Sequence, residues 1–485
     1  MVRFTGADGR SSFGALDETS QPLELLLSVS RDGGATLGAQ VEDQLRCAIR
    51  DGAVKPGSRV PSTRDLARQL GVSRRVVVDA YGQLAAEGYL SLRQGARPRV
   101  AEAAAAGGDE VAAPQTAQPM ARFDFRPSVP DVSTFPRAAW LRAVREALAT
   151  MPDADLQYGD AAGVEALRSA LADYLGRVRG VVADPARVVV TTGYTQSLGL
   201  VCHALAAAGA KRIALEEPTN SEQHLIARRA GLEPIPMAVD ADGLRVDALE
   251  RARPDAVVVT PAHQHPTGAV LSGERRTALL GWLRERDAVA VEDDYDAEYR
   301  YDRAAVGALQ GLEPDRVAYA GSASKTLAPA LRLGWLVVPP RLLAPVREEK
   351  LVADLGTARI EQQAFAHFLA RGELDRHLRR MRARYRTRRD ALVNALAEAL
   401  PEATVRGVAA GLHVTIELPG ADERAIAEEA ARRRIALNTM GDYRAGAQSG
   451  PAVLMLGYGQ PAEPAIRAGV RELAEAVRAA SAATG

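Results

Sequence analysis

The sequence predicts an α/β protein in two parts, a small helical head that ends in a β-hairpin and a large body built on a mostly parallel sheet. Three observations support this. The 485 residues are too many for one ordinary hydrophobic core. A low-complexity stretch rich in Ala, Gly, Pro and Gln separates two regularly patterned segments. Beyond it, short β-branched runs alternate with long helical runs, which is typical of a sheet covered on both faces.

These patterns divide the chain into four segments. Residues 1–36 are rich in Gly, Ser and Asp and are interpreted as a lead-in, and residues 37–100 form the head. Residues 101–121 are the low-complexity stretch and are predicted to be a flexible linker. Residues 122–485 form the body, whose pattern changes near Glu348 to long helices with few strands, as expected of a smaller C-terminal α+β lobe.

The head has the pattern of three helices followed by a hairpin. After the loop "VKPGSRVPS", Ser62 or Thr63 can cap a short second helix, and Ser73 can cap the third. The stretch "YLSLRQGARPRV" has strand character on both sides of a turn at Gln94-Gly95. Two helices joined by a turn and followed by a β-wing are a known arrangement for placing one helix in the major groove of DNA.

Charge is distributed unevenly, although the chain has equal numbers of basic and acidic residues, 61 of each. From Leu37 to Val100 there are 11 Lys/Arg against 6 Asp/Glu, an excess of +5 that leaves −5 for the rest of the chain. A basic head on an acidic body favours a nucleic-acid-binding module. The two cysteines, Cys47 and Cys202, are too far apart to indicate a disulfide framework or a cysteine metal site.

We expect the start of the third helix to contact DNA. Arg74 and Arg75 can make bidentate contacts to guanine, and the helix N-terminus at Ser73 can meet a phosphate. The alternative for any one arginine is a solvated surface, which explains the ordered set less well. The predicted DNA-binding residues are Arg64, Ser73, Arg74, Arg75, Gln94, Gly95 and Arg97, with Arg99 also on the wing.

The strongest single motif of the body is "YAGSASKTLAPALRLG", Tyr319–Gly334. It combines two serines two residues apart, a lysine, and an arginine seven residues later. The amine of Lys325 can form a Schiff base with an aldehyde. The hydroxyls of Ser322 and Ser324 and the guanidinium of Arg332 suit a phosphate dianion. A structural lysine is the usual alternative, but this spacing makes it a poor explanation.

Four further stretches fit a phosphate-bearing aldehyde cofactor, pyridoxal 5′-phosphate (PLP). "VEDDYDAEYRYD" places acids at the end of a buried strand, where an aspartate can pair with a pyridine nitrogen. "TTGYTQSLGL" is a glycine turn that opens a helix, whose N–H groups can bind phosphate. "TPAHQHPTGAV" is a loop at another strand end, and "LQYGDAAGVEALRSALADYL" adds a tyrosine loop before an amphipathic helix.

The stretch "PGSRVPSTRDLARQLGVSRRVVVDAYGQLAAEGYLSLRQGARPRV" resembles the GntR-type winged helix-turn-helix, and the body motifs resemble the fold-type I PLP aminotransferases. Together they resemble the MocR/GabR family of transcriptional regulators from about Leu37 to the C-terminus. "HLRRMRARYRTRRDAL", starting at His377, also matches that family. The resemblance implies a homodimer that binds double-stranded operator DNA, holds PLP in an aminotransferase-like domain, and senses a small-molecule effector.

The resemblance also implies a role for each matching residue. Lys325 is expected to be the Schiff-base lysine, Asp293 to face the pyridine nitrogen and Tyr295 to face the 3′-oxygen. His265 is expected near that oxygen, and Tyr158 is expected to reach the phosphate of the partner subunit. The expected phosphate ligands on the same chain are Ser322, Ser324, Arg332 and the amides of Tyr194 and Thr195.

Four positions depart from the aminotransferase pattern. His265 replaces the asparagine before "PTG", and Asn220 replaces the tyrosine that stacks on the cofactor ring. Met455 replaces the arginine that binds a substrate carboxylate, and Glu222 replaces an arginine of GABA-sensing relatives. Because a buried carboxylate without a charge partner costs roughly several kcal/mol, we expect a ligand that is not anchored there by a carboxylate. An amine, a non-standard amino compound or PLP itself fits, and Met455 is expected to be a pocket wall.

Several alternatives stay open. The chain can be a working aminotransferase with an accessory head, or a regulator that no longer uses PLP, although the retained Lys325 and Asp293 argue against the latter. A metal site at His263 and His265 is a further alternative, but no acid or cysteine cluster accompanies them. The first 20 residues lack an apolar core and the longest apolar stretch, residues 198–210, is too short to span a bilayer. We therefore expect no membrane segment and a cytoplasmic location.

Overall fold

The computed structural model describes residues 27–31, 34–93, 96–102, 121–301, 306–446 and 450–484. The chain divides into two compact units, residues 1–118 and 119–485. Within the described ranges, none of the helices is both long and apolar enough to cross a membrane. The predicted turn at Gln94-Gly95 and most of the predicted linker lie outside the described residues.

The first unit contains the predicted helices and hairpin. Helices α1 and α2 are followed by α3, and strand β1 pairs antiparallel with β2. Of the two candidate caps for α2, Ser62 is the one that caps, since its side chain accepts a hydrogen bond from the Asp65 N–H. Ser73 caps α3 in the same way. The bounds are Leu37–Arg50 for α1, Thr63–Leu70 for α2, Arg74–Ala86 for α3, Leu90–Ser91 for β1 and Arg99–Val100 for β2.

A small core holds these elements together. Leu45 of α1, Leu66 of α2 and Leu84 of α3 are all fully buried in it. The end of the lead-in also belongs to this unit, because Leu27 and Val29 pack against the same core. Burial of one face of each helix leaves the opposite face of α3 exposed to solvent.

The second unit is built on an eight-stranded sheet. Its strands are β4 (Val188–Thr191), β5 (Arg212–Glu217), β6 (Glu233–Asp240), β7 (Gly243–Leu244), β8 (Ala256–Val259), β9 (Val289–Asp294), β10 (Val317–Ser322) and β11 (Gly334–Val337). They lie in the order β4-β11-β10-β9-β8-β5-β6-β7. The five strands from β10 to β6 are parallel, while β11 runs antiparallel to both of its neighbours and β7 to β6. The prediction of a mostly parallel sheet is therefore confirmed.

Helices cover both faces of this sheet, as continuous apolar strands require. On β8, Ala256 and Val258 face one helical layer while Val257 and Val259 face the other. The helices of this part are α4 (Arg137–Thr150), α5 (Glu165–Arg179), α6 (Tyr194–Ala207), α7 (Ser221–Arg229), α8 (Val246–Ala252), α9 (Gly273–Glu285), α10 (Pro340–Asp354) and α11 (Arg359–Ala370).

A smaller C-terminal lobe follows, as the sequence pattern predicts. The long helix α12 (Glu373–Ala399) leads into an antiparallel sheet of strands β12 (Thr404–Arg406), β13 (His413–Leu418), β15 (Asn438–Thr439) and β16 (Ala452–Gly457). Helices α13 (Glu423–Arg432) and α14 (Glu463–Thr484) pack beside it. Strand β14 (Ile435–Ala436) pairs with β3 (Phe123–Asp124), which attaches the start of the body to this lobe.

The sheet order decides where side chains of the body can meet. Strands β10, β9, β8 and β5 are parallel neighbours, so their carboxyl ends lie along one edge of the sheet. Strand β4 runs in the same direction, because β11 is antiparallel to both β4 and β10. Open α/β sheets bind ligands along such an edge.

Candidate cofactor site and DNA-binding surface

A cavity of about 310 Å³ lies along this edge of the sheet, near the lower end of the roughly 300–1,000 Å³ typical of small-molecule sites. Nine of the ten residues predicted to contact the cofactor line it. The exception is Tyr158. The nine are Tyr194, Thr195, His265, Asp293, Tyr295, Ser322, Ser324, Lys325 and Arg332. The fold thus brings four separate sequence stretches into one site, although their individual roles remain predictions.

One end of the cavity has the chemistry of an anion cradle. Helix α6 begins there, with Tyr194 and Thr195 in its first turn. Gly193 precedes them at φ +125°, and a Cβ on it would lie 3.4 Å from the guanidinium of Arg332. Ser322 and Ser324 line the same cavity. Free N–H groups at a helix start, two hydroxyls and an arginine fork are together suited to a phosphate dianion.

Burial changes the proton affinities of the two charged groups at the centre of the cavity. Burial lowers the pKa of Lys325, against the opposing charges of Asp296 and Asp293, and a lysine with a lowered pKa is a better nucleophile at neutral pH. Burial raises the pKa of Asp293 well above its usual range, and Asp294, Asp296 and Glu216 raise it further. A cationic group held beside Asp293 would favour its ionised form.

Tyr295 is held by a buried histidine and a buried aspartate. Its hydroxyl lies 3.0 Å from His263 Nδ1, and Asp296 Oδ2 lies 2.9 Å from the same nitrogen. The pKa of Tyr295 is raised well above 10 by burial and by Asp296, so its hydroxyl keeps its proton. The Asp296 contact could not be predicted from the sequence, because Asp296 and His263 follow different strands.

His265 also faces the cavity. Burial lowers its pKa well below 6.5, and the neighbouring His413 and Lys325 lower it further, so the ring is neutral. Its centroid lies 5.1 Å from that of Tyr443 and 5.7 Å from that of Tyr295, both in edge-on arrangements. A neutral imidazole here can accept or donate one hydrogen bond.

Five lining residues were not predicted. Pro127 and Ser128 come from the start of the body, Gln223 from α7, Thr260 from the end of β8 and Tyr443 from the C-terminal lobe. Thr260 could have been found as the residue after a buried strand. Ser128 has φ +59°, and the local sequence does not indicate this strained backbone conformation. The local sequence does not indicate either that Tyr443 lies in the cavity.

The departures from the aminotransferase pattern have different outcomes in the structure. Asn220 lines the cavity, as its alignment implies. Met455 does not. It is fully buried in β16 between Thr415 and Asn438 and is absent from the cavity lining. The expectation that Met455 forms a wall of this cavity is therefore wrong, because the residue is fully buried in a central strand of the C-terminal lobe. Burial raises the pKa of Tyr443, and the charges of Asp442 and Glu222 raise it further; Glu222 itself does not line the cavity.

Tyr158 lies at the surface of the body, with 89% of the residue exposed. It belongs to a separate surface cavity of about 690 Å³ formed by residues 155–160 and 354–361. Several apolar side chains of the same unit are also exposed, namely Leu141, Leu148, Leu156, Leu351, Val352 and Leu355.

Three histidines lie close together near the cavity. His263, His265 and His413 have ring centroids within 5.3–5.5 Å of a neighbour in the group. Among the described residues there is nonetheless no group of three or more His, Cys, Asp or Glu side chains that could hold a metal ion. His263 instead pairs with Asp296, and His413 Nε2 lies 3.2 Å from the Pro266 carbonyl oxygen.

In the first unit, the predicted DNA-contacting residues that the structure describes are all exposed. Arg74 and Arg75 lie in the first turn of α3, and Arg64 lies in the first turn of α2. Arg97 is exposed beside β2. Arg99 is also exposed and donates a hydrogen bond to the Gly57 carbonyl at 2.9 Å, which joins the wing to the loop between α1 and α2. Gln94 and Gly95 lie outside the described residues.

Two family models match the chain. Residues 37–100 match "Bacterial regulatory proteins, gntR family", and residues 129–443 match "Aminotransferase class I and II". The order of the two matches is the order of the two units in the structure.

Curated relatives match both parts. The chain is 32% identical over 460 residues to the HTH-type pyridoxine biosynthesis transcriptional regulator PdxR of Corynebacterium glutamicum, covering 94% of this chain and 99% of that protein. It is 34% identical over 392 residues to the probable rhizopine catabolism regulatory protein MocR of Rhizobium meliloti, covering 76% and 78%.

Solved structures match the body. The α-aminoadipate aminotransferase LysN of Thermus thermophilus, complexed with N-(5′-phosphopyridoxyl)-L-leucine, has a TM-score of 0.67 at 28% identity over 74% of this chain and 93% of that one. The kynurenine aminotransferase of Pyrococcus horikoshii has a TM-score of 0.67 at 27% identity, covering 74% and 91%. The body therefore has a PLP-binding fold.

The residues of the cavity fit that cofactor. Tyr194 Oη and His265 Nδ1 are buried polar atoms that hydrogen-bond to no other described residue, and both side chains line the cavity. Asp293 is a buried carboxyl group whose ionised form needs a positive partner. A phosphate-bearing pyridine aldehyde offers an anion for the cradle, a basic nitrogen for Asp293 and an aldehyde for Lys325.

Proposed function

Because this chain belongs to the MocR/GabR family of GntR-type transcriptional regulators, which join a winged helix-turn-helix to an aminotransferase-like body, we propose that it binds PLP and adjusts its affinity for an operator to the concentration of that cofactor. The effector in this proposal is PLP itself. The proposal goes beyond membership of the family, since relatives in the same group carry names that point to different compounds.

The observation that carries the proposal is the set of charges in the cavity. Of the described residues that line it, Lys325 and Arg332 are the two with positively charged side chains. Both have partners on PLP, the aldehyde for Lys325 and the phosphate for Arg332. A carboxylate on a second ligand would have no cation left to pair with, at a cost of roughly several kcal/mol.

The relatives support this choice. The relative that covers 94% of this chain is named as a regulator of pyridoxine biosynthesis. A regulator of that kind gains by responding to the end product. The uncharged Met455 at the aligned position of the substrate arginine would disfavour an amino acid anchored there by its carboxylate.

The cavity residues would divide the work of holding the cofactor. PLP supplies an electron-withdrawing ring and an aldehyde that joins Lys325 as a Schiff base. Asp293 would hold the ring nitrogen in its protonated form, and the hydroxyl of Tyr295 and the ring of His265 would orient the 3′-oxygen. The phosphate would be held by Arg332, Ser322, Ser324 and the N–H groups of Tyr194 and Thr195.

Homodimer formation is part of the same proposal. Tyr158 is almost fully exposed on the isolated chain, together with apolar side chains such as Val352 and Leu355, which are 79% and 54% exposed. Exposed apolar side chains in one unit are typical of a protein interface. In a dimer, Tyr158 would contact the phosphate held by the partner subunit, and two heads would read paired half-sites.

DNA binding is tested by fluorescence anisotropy with a labelled duplex from the region upstream of the gene. We expect affinity to fall steeply with salt, because phosphate contacts release counterions. Arg74→Ala should weaken specific binding by about 1–3 kcal/mol, while the matched control Arg50→Ala, at an exposed arginine outside the predicted set, should leave it unchanged. Binding that is insensitive to salt, or equal loss in both variants, contradicts the assigned DNA surface.

The PLP response is tested with the same duplex. We expect the full-length protein to gain a visible absorbance band when PLP is added and its DNA affinity to change, with Lys325→Ala losing both effects. Amino acids added without PLP should produce neither. An amino acid that changes DNA affinity on its own, or a DNA affinity that ignores PLP, would overturn the choice of effector.

A working aminotransferase is the second candidate, favoured by the likeness of the body to solved aminotransferases at 27–28% identity. Two observations argue against it. Met455 is uncharged where aminotransferases align a substrate-binding arginine, and the described lining offers no cation beyond Lys325 and Arg332. Sustained conversion of an amino acid and a keto acid by the PLP-loaded protein would decide in its favour.

A further inference from the structure

The body contains a second unusual lysine, Lys350 on α10. The chain has only four lysines beside 57 arginines. Lys55 and Lys211 are exposed, and Lys325 lines the cofactor cavity. Lys350 is fully buried, with 0% of its side chain exposed. In a chain this strongly biased towards arginine, a buried lysine indicates a place where the larger planar guanidinium does not fit.

The surroundings of Lys350 use its ammonium group completely. It donates to Asp354 Oδ2 at 2.7 Å, to Thr357 Oγ1 at 2.9 Å and to Gln196 Oε1 at 3.0 Å. A lysine ammonium has three donors, so every one is matched. Burial lowers the pKa of Lys350, and the Asp354 carboxylate opposes that shift. The buried ammonium group of Lys350 therefore does not serve to solubilise the surface. Lys350 does not line the cofactor cavity either.

Gln196 links this lysine to the start of α6. Its Oε1 accepts hydrogen bonds from both Lys350 and the backbone N–H of Thr192, the latter at 2.9 Å. Its Nε2 donates to Asp354 Oδ2 at 2.8 Å. With both ends of the amide engaged, Gln196 cannot flip, and the Thr192 backbone is fixed immediately before Gly193. The next two residues of the helix, Tyr194 and Thr195, line the anion cradle.

We propose that Lys350 is a positioning residue for the phosphate end of the cofactor site, acting through Gln196 and Asp354 on the first turn of α6. It touches neither cofactor nor reacting atoms. It sets the direction of the N–H groups that Tyr194 and Thr195 present, on which the strength of a charge-assisted hydrogen bond depends. This inference rests on the proposed PLP binding and adds that one buried lysine controls how much the phosphate contributes to PLP affinity.

The test compares two ligands that differ only in the phosphate, PLP and pyridoxal, by absorbance titration of the full-length protein. In Lys350→Met we expect PLP affinity to fall roughly tenfold, the equivalent of one lost hydrogen bond to a charged group, while pyridoxal affinity stays the same. Gln196→Met should reproduce this phosphate-specific loss and serves if Lys350→Met does not fold. Lys211→Met, an exposed lysine of the same body, is the matched control and should bind both ligands as the natural protein does.

The outcomes separate the two proposals. A loss shared equally by PLP and pyridoxal means that Lys350 is only structural, and unchanged selectivity in both Lys350→Met and Gln196→Met removes the inference outright. If the natural protein itself fails to prefer PLP over pyridoxal, or binds neither, the proposed function fails first and takes the inference with it.

Discussion

The ion pair between Arg179 and Asp294 gives the sharpest stability prediction, because both side chains are almost completely buried. They are 1% and 2% exposed, with Arg179 Nε 2.7 Å from Asp294 Oδ2. The hydroxyl of Tyr319 donates to the same oxygen at 2.6 Å. Asp294 follows Asp293 on β9, and neighbouring strand residues point to opposite faces. The pair therefore lies behind the carboxyl group that faces the cavity.

Arg179→Met removes the cation and leaves Asp294 with one hydroxyl as its partner. Breaking a buried pair from one side costs about 3–5 kcal/mol. Two residues away, Arg177 bonds Asp375 at 2.8 Å but is 58% exposed. Arg177→Met should therefore cost only about 0.2–1 kcal/mol. Adding Asp294→Asn to Arg179→Met should recover part of the loss, because the uncompensated charge is then gone.

The assay is urea unfolding followed by tryptophan fluorescence. All three tryptophans, Trp140, Trp282 and Trp335, lie in the body, so the signal does not report the head. PLP affinity should fall as well in Arg179→Met, because Asp294 already raises the pKa of Asp293 and would then do so unopposed. The reasoning is refuted if Arg179→Met loses no more stability than Arg177→Met.

Three other changes test separate features of the body. Burial raises the pKa of Glu216 from 4.5 to about 7, so the folded protein loses stability relative to the unfolded chain as pH rises from 4.5 to 7. Glu216→Gln should therefore stabilise the body by about 3 kcal/mol above pH 7 and have little effect at acid pH. Equal gains at both ends of a pH series of urea unfolding curves would contradict this. A Cβ on Gly411 would lie 2.3 Å from the ring of His263, so Gly411→Ala should cost about 2–4 kcal/mol; Gly420→Ala, at a similar φ with nothing within 4 Å, is the control and should cost less in the same assay. Val352→Lys should yield monomers in size-exclusion chromatography with light scattering, and an unchanged dimer would place the interface elsewhere.

Much of the site could be predicted because its pieces are short and contiguous. Ser322, Lys325 and Arg332 lie within one strand end and the following turn, and Tyr194 opens a helix directly after a glycine. Such signals depend on chemistry within a few residues: a cap, a turn, or a run of β-branched side chains. The same holds for the head, whose helix starts at Ser62 and Ser73 are local hydrogen bonds.

The sequence by itself therefore determined the class of each part, the order of the two units and nine of the residues that line the cavity. Only the tertiary structure decided which distant residues join them, since the order of strands is set by packing of the whole core. That order carries Thr260 beside Asp293, and the C-terminal lobe adds Tyr443. The tertiary structure also buries Met455 within β16 and brings Lys350 into contact with Gln196, 154 residues away. Contacts across such separations leave no period or spacing in a single chain, because their geometry exists only after the core has formed.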